Sequence, residues 1–99
     1  MTIPPVLNNL LTAHGPSGYE ATPAGVWRDA AAAFSASVEA DVMGSSTASV
    51  PATGDGPSLA IVGHIDEIGL IVTHIEESGF LRFTGVGGWD PQVLVGQRV

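Results

Sequence analysis

The residues best placed to do chemistry are His64 and Asp66, inside Ile61-Val62-Gly63-His64-Ile65-Asp66-Glu67-Ile68-Gly69. In an extended chain, residues i and i+2 project from the same face, so both side chains can enter one cleft. A neutral imidazole is a good ligand for zinc or cobalt. A carboxylate beside it orients the ring and raises its basicity. Hydrolytic metal sites need three or more protein ligands and a water, so His64 cannot form one alone. The spacing by itself is a weak signal and fits a structural His–Asp pair better than a metal site.

The other candidates read more simply as structure. His14 is expected at the end of a helix, where a cation favours the dipole. His74 is expected in a strand, Glu67 in local hydrogen bonding, and Glu76 and Glu77 as solvated loop charges. Gly15-Pro16-Ser17-Gly18 has no lysine after it and no strand before it, as a phosphate loop would need. Asp66 and Glu67 are adjacent carboxylates that a strand would point to opposite faces, so a glycosidase pair is disfavoured.

Ten carboxylates face three arginines and no lysine, for a net charge of -7, which a phosphate backbone would repel. Nucleic-acid binding is therefore not expected. With 44% hydrophobic residues and positive mean hydropathy, the chain reads as a folded domain rather than a disordered tail. The apolar runs are too short to span a membrane. Met1-Thr2-Ile3-Pro4-Pro5 places no basic region before an apolar stretch, and there is no cysteine for a disulfide framework or thiolate zinc site. The expected location is cytoplasmic.

The elements that must position His64 and Asp66 follow from periodicity. Pro4-Pro5 with Val6, Leu7, Leu10 and Leu11 predicts a short amphipathic helix stopped near Gly15. A second helix begins either at a Ser17-x-x-Glu20 capping box or at Thr22-Pro23. It runs to about Ala36, with Trp27 and Phe34 in the core. Val38, Ala40 and Val42 alternate as a half-buried strand. Thr47 to Thr53 is a weaker strand, interrupted by Pro51. Leu59-Ala60-Ile61-Val62 reads as a central strand covered on both faces, delivering His64 at its C-terminal end. Ile68–Ile75 and Phe80–Val86 pair through the Glu76–Gly79 loop. Gly87 to Pro91 is a tight loop in which Trp89 could anchor an interface. Gln92 to Val99 begins a further strand with no partner in the sequence, so a fragment of a longer protein is expected.

Residues 10–20, Leu-Leu-Thr-Ala-His-Gly-Pro-Ser-Gly-Tyr-Glu, and residues 63–99 resemble the tetrahedral aminopeptidases. These are family forty-two of the metallopeptidases, which includes glutamyl and deblocking aminopeptidases. Gly87-Gly88-Trp89-Asp90-Pro91 and the following Val-Leu-Val-Gly-Gln-Arg match in order and spacing. The resemblance implies an α/β fold: residues 1–69 open a zinc-peptidase-like catalytic domain, and residues 70–99 are the first strands of an inserted β-rich, PDZ-like dimerisation domain. It further implies two divalent metal ions, zinc or cobalt, in the complete enzyme. His64 would be a metal ligand and Asp66 the catalytic-site residue orienting it. The remaining ligands and the general base would lie downstream of Val99. Substrates would be short peptides, trimmed of single residues from a free N-terminus by metal-activated water, in a homo-oligomer of dimers assembled into a dodecamer. The 99-residue chain alone is then expected to be inactive. Two details differ from the family pattern: Ser45 stands where asparagine is common after Asp41-Val42-Met43-Gly44, and Ile65 where methionine is frequent. The competing reading is non-enzymatic, a truncated module that pairs through its exposed strands from Ile68 to Val99.

Overall fold

The computed structural model describes residues 2–99. It divides into two compact units, Met1–Asp66 and Glu67–Val99. Among the described residues, no helix is long and apolar enough to cross a membrane.

In the first unit, helix α1 spans Pro5–Thr12 and helix α2 spans Ala21–Ala32, the two lying against each other. Proline opens α1 in its first turn, where the missing N–H has no intrahelical acceptor. α2 starts at neither expected cap. Glu20 occupies the N-cap without a side-chain bond into the helix, and its carboxylate instead accepts the Gly18 N–H at 2.5 Å. Pro23 falls within the first turn, so its ring forfeits no helical hydrogen bond. It is buried, with Ala24 and Ala31. A Cβ at Gly15 would lie 2.3 Å from Pro23 Cγ, so only glycine lets the loop pass this close.

α2 stops short of Ala36. The Phe34 and Ser35 N–H groups both fold back on the Ala31 carbonyl, at 3.1 and 3.0 Å, and the Ser35 hydroxyl joins them at 2.8 Å. Phe34 is consequently exposed rather than in the core, while Trp27 is half-buried. Strands β1 (Ser37–Ala40) and β2 (Ser46–Ser49) then form an antiparallel pair, with Ser37 opposite Ser49 and Ala40 opposite Ser46. Asp41 closes their turn by accepting the Met43 and Ser45 N–H groups, both at 2.9 Å. These bonds use the backbone of residue 45, so the turn forms with serine there. Arg28 Nη1 donates to Ser46 Oγ at 3.0 Å and ties α2 to β2.

Leu59–Val62 does not form the expected central strand. Residues 57–66 carry no regular structure, and Leu59, Ile61 and Val62 are 87%, 92% and 91% exposed. The apolar pattern is present, but a strand needs a hydrogen-bonding neighbour, and no described strand runs beside this segment.

The second unit is a hairpin. β3 (Gly69–Ile75) pairs antiparallel with β4 (Leu81–Val86), with a bulge between Val72 and His74. The Gly79 N–H donates to the Glu76 carbonyl at 2.9 Å, and φ of +89° at Gly79 gives the left-handed residue such a loop requires. Glu76 is more than a solvated charge, since Arg82 Nε meets its carboxylate at 2.7 Å. Trp89 serves as an internal brace: its ring lies over Gly85, and Nε1 donates to the Gly69 carbonyl at 2.6 Å. The expected strand from Gln92 is instead a 3₁₀ turn, Pro91–Leu94. Asp90 accepts the Gln92 N–H at 3.0 Å and Pro91 fixes φ, which together wind the chain before a strand can start.

Replacing Gly15 by alanine should lower the unfolding free energy of the first unit by about 1–3 kcal/mol, the usual cost of overpacking. Denaturant titration of the variant checks this, and an unchanged midpoint would contradict the tight Gly15–Pro23 contact.

Candidate metal-ligand site at His64 and Asp66

The site lies within the first unit, where irregular backbone brings His64 and Asp66 together. His64 Nδ1 is 3.0 Å from Asp66 Oδ1 and 3.2 Å from the Asp66 carbonyl oxygen. Both neighbours only accept, so Nδ1 carries the proton and donates. In the neutral ring the free lone pair is then on Nε2. The His64 side chain is 87% exposed and Asp66 40%, so Nε2 is open to a ligand.

The second Asp66 oxygen is also engaged. Ser17 Oγ, from the loop before α2, donates to Asp66 Oδ2 at 2.5 Å. The Ser17 hydroxyl, then the His64 ring, hold the Asp66 carboxyl below the usual carboxylate range, against a smaller opposing effect of desolvation.

His64 and Asp66 are thus paired through the ring Nδ1–H and one carboxylate oxygen. The structure adds Ser17, which the sequence offered as one of two alternative helix caps. Its partner lies 49 residues away, a pairing that a single sequence does not display. His14 and His74 are both exposed, and neither bonds to the pair. Among the described residues no three His, Asp or Glu side chains converge to hold a metal ion. His64 fits one ligand position, and these residues do not complete a metal's coordination shell.

A loop-borne imidazole oriented by a carboxylate is a recurrent arrangement in metallohydrolases. Residues 44–99 match the family described as M42 glutamyl aminopeptidase, and the chain belongs to that family. It is 61% identical over 44 residues to the candidate aminopeptidase FrvX of Escherichia coli strain K12, covering 44% of this chain and 12% of that protein. It is 39% identical over 46 residues to the lysyl aminopeptidase of Pyrococcus furiosus, covering 46% and 13%. A solved TET aminopeptidase from the marine sediment archaeon Thaumarchaeota archaeon SCGC AB-539-E09 matches with a TM-score of 0.81 and 36% identity, over 93% of this chain and 26% of that one. This chain therefore spans only a small part of the relatives it matches.

Because the folded Asp66 pKa is depressed, its stabilising contribution is complete above the ordinary carboxylate value of about 3.9 and is lost as pH falls through the folded value. Carbon-13 titration of the metal-free chain should place the Asp66 midpoint below that ordinary value, and Ser17→Ala should move it upward. A midpoint unmoved by the substitution would remove Ser17 as the main cause.

Proposed function

We propose that this chain is the N-terminal part of a metal-dependent aminopeptidase that removes single residues from the free N-terminus of short peptides. The observation that carries this reading is the His64 ring, proton-donating to Asp66 through Nδ1 and open at Nε2, in a member of the M42 family. His64 would hold one of two divalent metal ions, zinc or cobalt. When bound, such ions would supply Lewis acidity toward the scissile carbonyl and an attacking water. Asp66 keeps the ring in the tautomer that offers Nε2 to a ligand. The other ligands and the general base would come from further sequence of the whole protein.

The division after Asp66 supports treating the β3–β4 hairpin as the start of an inserted β-rich, PDZ-like domain, close to the expected border at residue 70. The solved TET neighbour supports a homo-oligomer, for which the assembly of dimers into a dodecamer remains our proposal. A cytoplasmic setting is part of the same proposal. The lysyl enzyme of Pyrococcus furiosus and the glutamyl enzyme of Lactococcus lactis are both 39% identical to this chain over similar lengths. That equality favours residue preference being set outside the matched stretch.

The test is to express the complete reading frame and assay aminoacyl p-nitroanilides with zinc or cobalt. His64→Ala should abolish turnover, and Asp66→Asn should weaken metal affinity by about 10–100-fold. Full turnover by the His64→Ala enzyme would end this assignment. The 99-residue chain alone should neither turn over these substrates nor bind zinc below micromolar concentration, because a lone imidazole lacks the chelate of a closed site. Calorimetry and the same assay check both expectations.

A further inference from the structure

The Ser17 hydroxyl is not needed where the sequence placed it. α2 is entered through Glu20 with no side-chain cap, and the hydroxyl turns away to Asp66 Oδ2. Its loop also has local contacts of its own. The Tyr19 N–H donates to the Pro16 carbonyl at 2.8 Å, the Gly18 N–H to the Glu20 carboxylate, and Gly15 sits under Pro23. Ser17 is therefore presented to Asp66 from a braced turn.

We infer that Ser17 is a positioning residue for the His64 ring, acting through the Asp66 carboxylate. This rests on the reading of His64 as a metal ligand. A carboxylate engaged at one oxygen can rotate about its Cβ–Cγ bond and exchange its two oxygens. With Ser17 on Oδ2 and His64 Nδ1 on Oδ1, that rotation breaks two hydrogen bonds at once. The His64 side chain is largely exposed, so packing does little to fix the ring, and its hydrogen bonds to Asp66 set its orientation. Loss of the hydroxyl frees the carboxylate and leaves the Asp66 carbonyl as the remaining fixed acceptor for Nδ1–H, so the ring carries its proton more often on Nε2, the nitrogen that must be bare to bind a metal. The hydroxyl thus selects the ligand tautomer from two bonds away.

Nitrogen-15 spectra of the metal-free 99-residue chain, in mildly alkaline buffer where imidazole is neutral, distinguish a protonated ring nitrogen from a bare one. The unsubstituted chain and Ser17→Thr should show His64 protonated mainly at Nδ1. Ser17→Ala should shift the ratio several-fold toward Nε2–H with helical circular dichroism preserved. Ser17→Cys, close in volume but a weaker donor, should fall between and serves if the alanine variant does not fold. In the metal-loaded complete protein, chelator competition should show affinity reduced by up to about tenfold in Ser17→Ala and restored in Ser17→Thr. An identical tautomer ratio in all folded variants overturns the role of Ser17, whatever the metal affinities. Because the tautomer is read without metal, that failure is distinct from failure of the ligand assignment, which His64→Ala tests directly.

Discussion

The first unit turns on a single carboxylate with both oxygens committed. Asp66 accepts from Ser17 on one side and His64 on the other, joining the loop before α2 to the end of the unit. An ionised carboxylate forms charge-assisted bonds, stronger and more directional than neutral ones. Such anchoring matters in a chain with so little interior. Among the described hydrophobic residues only Ala24 and Ala31 are buried, so polar contacts carry positional information that a larger core would otherwise provide.

The chemistry of the site was partly legible in the sequence. His64-x-Asp66 was visible as a pair able to meet, and the structure joins the two by a hydrogen bond, because spacing of two is a local property. Ser17 was visible only as a cap, because its hydroxyl suits either use and its partner is remote in the chain. The distinction follows from what a linear pattern contains: periodicity reports which face a side chain takes, while a tertiary hydrogen bond depends on how loops are braced.

The elements divide along the same line. The β3–β4 hairpin follows its alternation and its glycine loop, both encoded within a few residues of each strand. Both helices also appear where apolar spacing puts them, although α2 ends early because Ser35 and Phe34 close on Ala31. Leu59–Val62 shows the opposite case, with the composition of a central strand and no neighbour to make it one. Gln92–Val99 was misread for a local reason, since Asp90 and Pro91 favour a wound turn over an extended start.

The distance in sequence between Ser17 and Asp66 also sets an order of events during synthesis. A hairpin such as β3–β4 can close within roughly 1–10 µs once its residues are free. Ser17 cannot meet its acceptor until 49 further residues have been added, which at ribosomal rates takes about 2–10 s. α1 and α2 therefore have time to form and dock, and the turn carrying Ser17 is braced before the carboxylate arrives. The nascent chain thus meets Asp66 with a prepared donor, and within the first unit the His64 ring acquires its orientation last.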